Sequence, residues 1–445
     1  MQIKSVRGFR KRSFVAVAGA LIVIVNGVFG CRNKAVSNQT PESSSSQGLT
    51  YVDGTAEMVS NLSTIASSLN PEDNPYANRA RAEHFGQLAK SADSNEALRF
   101  EFEAAKETVL AGDTIDGILA FQRLLKTLLQ RRDEVDPRLL LFIRRQIAIA
   151  YLRFGEQSNC IDNHNADSCI LPIAPSAVHE DEQGSDFASK AYIALLKNYP
   201  EQLDSRWLLN IALMTLGRYP DEVPDEWLIP PTVFESEYSI PRFRDVAPVL
   251  GVDVAGLSGG SVVEDFDGDG YLDIMASSWG ITDQVRYFRN LGNGSFLDMT
   301  ESAELEGIGG GLNLVHADYD NDGYPDVFVL RGAWLGSEGE HPNSLLRNRG
   351  DNTFYDVTRG AGLLSLRPTQ TAAWGDFNND GWVDLFVGNE STVGAEYFSE
   401  LYVNNQNGTF TNVAEVAGIV IKAYVKGTAW GDYNNDGLLD LYVSC

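Results

Sequence analysis

Four acidic nonapeptides offer oxygen ligands in a repeated order. They are DFDGDGYLD from Asp265, DYDNDGYPD from Asp318, DFNNDGWVD from Asp376 and DYNNDGLLD from Asp432, numbered here loops 1 to 4. Each has Asp or Asn at positions 1, 3 and 5, Gly at position 6 and Asp at position 9. Ca²⁺ is a hard cation that takes about six to eight oxygens, and Gly permits the sharp turn that brings alternate positions together. The loops therefore predict repeated calcium sites.

The loops resemble an EF-hand only in their first half. An EF-hand requires a bidentate Glu at position 12, whereas that position here is Ala276, Val329, Val387 or Val443. Position 9 instead begins a short apolar or alternating run in every copy, such as Asp273-Ile-Met-Ala. Such a run is typical of a buried or half-buried strand. We therefore expect each loop to lead into a β-strand.

A second motif recurs in phase with the loops, which start 53, 58 and 56 residues apart. Its copies are YFRNLGNGSFLDMT from Tyr287, LLRNRGDNTFYDVT from Leu345 and LYVNNQNGTFTNVA from Leu401. Turn residues that tolerate positive φ lie between apolar positions in each copy, which predicts strand, turn and strand. A partial copy, PRFRDVAPVLGV, starts at Pro241. Several strands per unit at this period predict a β-propeller whose blades are four-stranded sheets.

The loops and the LYxNxGxGxFxDV phrase together resemble the FG-GAP or VCBS repeats of integrin-α-type propellers. The resemblance is greatest to bacterial relatives of the cartilage acidic protein group, whose full-length members often end in an ASPIC/UnbV domain. It covers residues 239–445. It implies an integrin-α-like β-propeller that binds Ca²⁺ through its loops. The alternative is that the loops are ordinary solvated acidic turns.

The resemblance also implies which residues bind the cation. Each loop would use its side chains at positions 1, 3, 5 and 9, and the residue at position 7 can offer its backbone carbonyl group. In loops 1 and 2 these residues are Asp265, Asp267, Asp269, Tyr271 and Asp273, then Asp318, Asp320, Asp322, Tyr324 and Asp326. In loops 3 and 4 they are Asp376, Asn378, Asp380, Trp382 and Asp384, then Asp432, Asn434, Asp436, Leu438 and Asp440.

The number of repeats bears on the completeness of the propeller. Integrin-like propellers usually close with about seven blades, whereas this chain supplies four loops and ends within a repeat, at LYVSC. An open stack of blades leaves a bare strand edge that can pair with other chains. We therefore expect the chain to be a fragment of a longer protein with an incomplete propeller. Closure by association of several copies is the alternative.

Residues 1–31 have the order of an export signal. A basic start precedes an apolar run over 14–29, which ends in Val-Phe-Gly-Cys at Cys31. This ending resembles a bacterial lipobox, which implies lipidation of Cys31; an uncleaved anchor helix is the alternative. Residues 32–74 have a Ser-rich centre, which is typical of a flexible tether. We expect a lipid-anchored protein of the bacterial cell envelope that faces the periplasm or the cell exterior.

Residues 75–230 change to a helical pattern. Apolar residues recur at intervals of three and four in segments 115–128, 139–154, 188–196 and 207–216. Part of this spacing resembles tetratricopeptide (TPR) helices, with an insert at 157–186. The region therefore predicts a TPR-like α-solenoid with a concave surface for peptides. A plain helical bundle is the alternative.

The insert contains two cysteines, Cys160 and Cys169, with His164 between them. Export places them in an oxidising compartment, so we expect a disulfide between the two. A metal site formed by both thiolates and His164 is one alternative, although the spacing matches no usual zinc signature. Two free thiols are the other alternative.

The charge and the histidines argue against two classes of function. The formal net charge is −26, and nucleic-acid binding needs basic patches that contact phosphate, so we do not expect a nucleic-acid partner. The five His residues are scattered through the chain and form no recognisable nucleophile or metal-hydrolase motif. We therefore do not expect an enzyme.

These features together predict a calcium-binding scaffold, tethered to a membrane, that mediates protein–protein interaction or adhesion outside the cytoplasm. A carbohydrate-binding propeller is the alternative, because Trp279, Trp334, Trp374, Trp382 and Trp430 include candidate aromatic platforms. A further alternative is a non-catalytic part of a polysaccharide-degrading system. The sequence does not identify the partner, since a fold alone does not supply a function.

Overall fold

The computed structural model describes residues 51–131, 136–160, 165, 167–238, 243 and 245–445. The predicted export signal with Cys31, the first part of the tether, His164 and the start of the partial repeat lie outside these residues. The described residues belong to one compact unit. In that unit a helical region is followed by antiparallel sheets.

Long helices form the first part of the described chain. Helices α1 to α7 are Thr55–Ser68, Asn78–Ser91, Ser94–Leu110, Thr114–Gln130, Pro137–Cys160, Gln183–Leu196 and Leu203–Thr215. The four periodic segments of the sequence lie in α4 to α7, so the predicted helical character is confirmed. From α2 to α7 each helix packs against the next one along the chain. No helix among the described residues is both long and apolar enough to cross a bilayer.

Helix α1 lies inside the predicted tether, and this part of the tether prediction is wrong. Met58 and Leu62 of α1 are buried, and Ile65 packs against the same cluster of apolar side chains from the sheets. Their spacing of four and three residues gives the helix one apolar face. The tether prediction rested on the Ser-rich composition of the preceding segment and did not take this apolar face into account.

Helices α5 and α6 approach each other closely at two glycines. A Cβ atom on Gly184 would lie 2.2 Å from the backbone nitrogen of Gly155. The predicted insert is shorter at both ends in the structure, because α5 continues to Cys160 and α6 already begins at Gln183.

Fourteen strands in the described residues form four antiparallel sheets. Sheet 1 contains β1 to β4, which are Ser261–Glu264, Asp273–Ala276, Arg286–Asn290 and Phe296–Asp298. Sheet 2 contains β5 to β8, which are Asn313–Ala317, Asp326–Leu330, Ser344–Asn348 and Phe354–Asp356. Sheet 3 contains β9 to β12, which are Thr369–Gly375, Asp384–Asn389, Glu400–Asn404 and Phe410–Asn412. Sheet 4 contains β13 and β14, which are Gly427–Gly431 and Asp440–Ser444.

The first strands of the four sheets are neighbours in order. Strand β1 contacts β5, β5 contacts β9, and β9 contacts β13. Apolar side chains of adjacent sheets fill the space between them, with Phe266 and Phe354 meeting edge to face at 5.7 Å. Within the described residues the sheets form an open array and do not close into a ring. The predicted repeat of four-stranded units is therefore present, as an incomplete set.

The partial repeat predicted from Pro241 differs from the other copies. Its described part contains Ala247–Leu250, which forms a helical turn, α8, that ends at Gly251 with φ of 70°. Pro248 is in the first turn of this helix, where its fixed φ and missing N–H are tolerated. The described part of this segment, residues 243 and 245–252, therefore contains a helical turn and no strand.

Substitution of Gly184 tests the close approach of α5 and α6. We expect Gly184→Ala to lower the free energy of unfolding by about 1–3 kcal/mol, because backbone atoms cannot yield to the new Cβ. Urea denaturation followed by helical circular dichroism measures this change. Gly86→Ala in α2 is the control, because a Cβ there has no heavy atom within 4 Å and alanine favours the helix by up to about 1 kcal/mol. Equal losses in the two variants would contradict the packing argument.

Candidate metal centres

Each acidic loop joins the first and second strands of a sheet. Asp273 at position 9 of loop 1 is the first residue of β2 and pairs with Glu264, the last residue of β1. The corresponding pairs in sheets 2 to 4 are Ala317 with Asp326, Gly375 with Asp384 and Gly431 with Asp440. The prediction that each loop leads into a strand is confirmed. The pairing also places the four loops at corresponding ends of neighbouring sheets.

The carboxylate at position 1 holds the turn of each loop. In loop 1, Asp265 accepts hydrogen bonds from the backbone N–H groups of Asp269 and Gly270, at 3.0 and 2.9 Å. Asp269 in turn accepts the N–H of Tyr271 at 2.9 Å. The same contacts recur at the corresponding positions of the other three loops. Backbone donors therefore occupy some of the carboxylate oxygens and fix the directions of the others.

The carboxylate at position 9 ties the loop to the third strand. Asp273 accepts the N–H of Phe266 at 3.2 Å and the N–H of Asn290, in β3, at 2.7 Å. Asp326 and Asp384 make the corresponding pairs of bonds in sheets 2 and 3. All three carboxylates have no solvent exposure. The carboxylate at position 9 therefore holds the loop, the second strand and the third strand of each sheet together.

Acidic ligand atoms come together in two of the loops. Within the described residues, atoms that lie within 4.8 Å of one another form two groups of three, Asp265, Asp267 and Asp269 in loop 1 and Asp318, Asp320 and Asp326 in loop 2. Loop 1 thus groups positions 1, 3 and 5, and loop 2 groups positions 1, 3 and 9. Loops 3 and 4 have an amide at position 3, from Asn378 and Asn434.

Loop 2 contains an oxygen that requires a partner. The side chain of Asp320 is 1% exposed, and its Oδ1 atom has no hydrogen-bond partner. Burial of an anionic oxygen without a partner is unfavourable, and a hard divalent cation is a suitable partner for a cluster of carboxylate oxygens. The residues of loop 2 therefore fit calcium.

An arginine bridges positions 3 and 5 in loops 1 and 2. Arg347, on β7, donates from Nε to Asp320 at 2.7 Å and from Nη2 to Asp322 at 2.6 Å. Arg289, on β3, contacts Asp267 and Asp269 in the same way. Val403 occupies the corresponding place in β11, two residues after Leu401. Each loop with Asp at position 3 thus has an arginine, and loop 3, which has Asn378 there, has none at this place.

Burial disfavours the negative charge of the carboxylates at position 9 of loops 2 and 3. Burial, together with the charges of Asp380 and Asp376, raises the pKa of the Asp384 carboxyl to about 6. Burial also holds the pKa of Asp326 well above its usual range, with Asp320 adding to the effect. Hydrogen bonds from the backbone oppose both shifts but do not cancel them. A bound cation would favour the ionised carboxylates in both places.

Neighbouring loops are also joined to each other. Asn321 at position 4 of loop 2 donates to the carbonyl of Gly381 in loop 3 at 3.1 Å, and Asn379 makes the same bond to Gly437 in loop 4. In the opposite direction, Asn348 of β7 donates to the carbonyl of Phe266 in loop 1 at 2.7 Å. Asn404 of β11 does the same to Tyr319 in loop 2.

Several of these residues were not among the predicted ligands. Arg289 with Asn290 and Arg347 with Asn348 form the same dipeptide at the end of the third strand, and this recurrence was the available signal. Tyr51 donates to Asp320 at 2.7 Å across 269 positions of the chain. No local pattern could indicate that contact.

The two cysteines of the predicted insert are free thiols in the structure. Burial raises the pKa of the Cys160 thiol, and Cys169 adds to this rise. The predicted disulfide is therefore absent from the structure, although oxidation of this pair remains a prediction.

Tryptophans near the sheets are mostly packed. Trp374 lies 6.2 Å from Phe328, and Trp430 stacks on Phe377 at 5.8 Å, both between ring centroids. Trp334 is 42% exposed and stacks on Trp279 at 6.4 Å. Packing within and between sheets accounts for Trp374 and Trp430, whereas Trp334 also presents a ring to solvent.

Substitution of Asn348 tests the link between sheets 1 and 2. We expect Asn348→Ala to lower the free energy of unfolding by about 1–3 kcal/mol, because it removes the donor of the buried Phe266 carbonyl. Urea denaturation in the presence of calcium measures this loss. Asn405→Ala is the matched control, since that amide is exposed and bonds to Thr409 of its own hairpin; its effect should stay within about 0.5 kcal/mol. A similar effect from both variants would show that the inter-sheet bond contributes little.

Comparison with known proteins finds repeats in the same part of the chain. The FG-GAP-like repeat family model matches residues 265–329, 333–387 and 376–443. The first match begins at loop 1 and ends in β6, and the third begins at loop 3 and ends in β14. No curated protein matches the chain significantly. The sheet region of this protein therefore contains FG-GAP-like repeats, as predicted, with three matched ranges where the sequence predicts about four repeats.

Proposed function

We propose that the protein is a calcium-stabilised scaffold that engages other proteins outside the cytoplasm. The observation that carries the calcium part is Asp320, whose buried Oδ1 atom has no protein partner and whose carboxylate groups with those of Asp318 and Asp326. The FG-GAP-like repeats support the scaffold part, because such repeats suggest protein–protein interaction or adhesion. We assign the cation a structural role and propose no catalytic one.

Loops 1 to 4 are the proposed calcium sites, through the side chains at positions 1, 3, 5 and 9 given above. A bound calcium ion supplies positive charge and holds oxygen ligands of one loop together. The protein prepares the loops in advance, since backbone N–H groups already order the carboxylates at positions 1 and 5. Calcium would therefore stabilise a loop that is already close to its folded shape.

The helices provide a second surface for the proposed scaffold. Each helix from α2 to α7 packs against the next, which is typical of an α-solenoid and supports the TPR-like interpretation. Phe142 of α5 and Phe187 of α6 are exposed, at 41% and 42%. Exposed aromatic side chains on such an array are candidate contacts for a peptide partner.

Calcium removal tests the proposal directly. We expect full-length protein to take up calcium in calorimetric titration and to melt at a lower temperature in chelator. A site at a free concentration of 100 times its Kd contributes about 2.7 kcal/mol to stability. Asp320→Asn should reduce this calcium-dependent gain, whereas Asp225→Asn, an exposed residue outside the loops, should not. Identical melting in calcium and in chelator would refute calcium stabilisation.

Lipid attachment through Cys31 is the proposed means of tethering. We expect the protein to incorporate labelled fatty acid and to sediment with membranes when it is expressed in bacteria. Cys31→Ser should abolish the label and release the protein from the membrane fraction, because serine lacks the thiol that accepts lipid. Cys445→Ser is the matched control. Label that persists in Cys31→Ser would overturn the proposed attachment site.

A further inference from the structure

A short segment that ends in the first turn of helix α1 lies along sheet 2. We name residues 51–57 the strap. The N–H of Gly54 donates to the carbonyl of Asp356, the last residue of β8, at 2.8 Å. The N–H of Asp356 donates back to the hydroxyl of Thr55 at 2.9 Å. These two bonds attach the strap to the outer strand of sheet 2, and the buried Met58 and Leu62 of α1 continue the attachment.

The first residue of the strap reaches loop 2. The hydroxyl of Tyr51 donates to Oδ2 of Asp320 at 2.7 Å. The guanidinium carbon of Arg347 lies 4.2 Å from the centre of the Tyr51 ring. On the other side, a Cβ atom on Gly408, in the turn between β11 and β12, would lie 2.4 Å from the ring. The ring therefore fits between sheets 2 and 3, and glycine at 408 leaves room for it.

The two carboxylate oxygens of Asp320 differ in their hydrogen bonds. Oδ2 accepts both the hydroxyl of Tyr51 and Nε of Arg347, each at 2.7 Å. These donors fix the orientation of the carboxylate, and Oδ1 is left buried without a protein partner. Groups that hold a ligand through its other atom commonly tune metal affinity. Tyr51 and Arg347 have this relation to Asp320.

Loop 1 provides a comparison within the same molecule. Asp267 occupies the place of Asp320 and is held by Arg289, as Asp320 is held by Arg347. In the described residues no hydroxyl group donates to Asp267. Loops 1 and 2 therefore share the arginine, and the tyrosine distinguishes loop 2.

We propose that the strap is part of the loop 2 cation site and that Tyr51 is a positioning residue for its ligand Asp320. The inference rests on the proposed calcium binding and extends it to a coupling between loop 2 and the strap. Tyr51 raises the affinity of loop 2 for a hard divalent cation, and by linkage the bound cation fastens the strap to the sheets equally. In the sequence, the strap directly follows residues 32–50 of the predicted tether.

Hydrogen–deuterium exchange read by mass spectrometry tests this coupling, because it follows each loop separately. Full-length protein in detergent is titrated with calcium, and the midpoint of protection is measured for peptides from loops 1, 2 and 3 and from the strap. Tyr51→Phe keeps the ring and removes the hydroxyl. We expect the loop 2 midpoint to move to about tenfold higher calcium, while the midpoints of loops 1 and 3 stay unchanged. In the unmodified protein, the strap should become protected at the same calcium concentration as loop 2.

Two further variants control the experiment. Tyr397→Phe removes another tyrosine hydroxyl that donates to a carboxylate, at 2.8 Å from Glu340 and outside the loops, and should move no midpoint. Asp320→Asn should abolish the calcium dependence of strap protection.

The possible results separate this inference from the calcium proposal. An unchanged loop 2 midpoint in Tyr51→Phe, or equal shifts in loops 1, 2 and 3, would overturn the positioning role. Protection of loop 2 without protection of the strap would overturn the coupling. If no loop responds to calcium in the unmodified protein, the proposed function itself fails, and the inference fails with it.

Discussion

Asp273, Asp326 and Asp384 place a carboxylate with no solvent exposure at the start of the second strand in three successive sheets. A charge so deeply buried persists only if hydrogen bonds or opposite charges surround it. Here the backbone supplies these bonds, from position 2 of the loop and from the end of the third strand. The loop, the second strand and the third strand must therefore keep one relative position. Any slip in strand register would leave the carboxylate without its donors.

Buried carboxylates also limit how much negative charge each loop can hold without a compensating group. Loops 1 and 2 each contain four Asp residues and contact one arginine, whereas loop 3 contains three Asp residues and faces Val403. When the arginine is counted with its loop, the formal charge is −3 in all three loops. Loops 1 and 2 have it through four Asp residues and one arginine, and loop 3 through three Asp residues. In loops 1 and 2 the arginine also orients the ligand at position 3. Loop 3 reaches the same charge with Asn378, whose neutral amide oxygen needs no counterion.

Much of this arrangement follows from local patterns in the sequence. The order of Asp, Asn and Gly in the loops gives a turn whose backbone bonds are all within nine residues, and the alternating segments give the strands next to it. The helices follow from apolar spacing in the same way. Contacts between distant segments could not be inferred. The bond from Tyr51 to Asp320 joins segments 269 positions apart, and a single sequence carries no periodic signal of such a pair. The recurring Arg-Asn dipeptide and the apolar spacing of α1 are signals in the sequence, but neither identifies the packing partner.

The bonds between neighbouring loops run in fixed directions. Asn321 and Asn379 donate forward to the next loop, and Asn348 and Asn404 donate backward to the preceding one. The boundary between sheets 2 and 3 contains one bond of each kind. A duplicated repeat inserted at such a boundary would meet a matching donor and acceptor on both sides. The number of sheets can therefore change during evolution in whole repeats without a new interface, whereas insertion of half a repeat would leave these asparagines without acceptors.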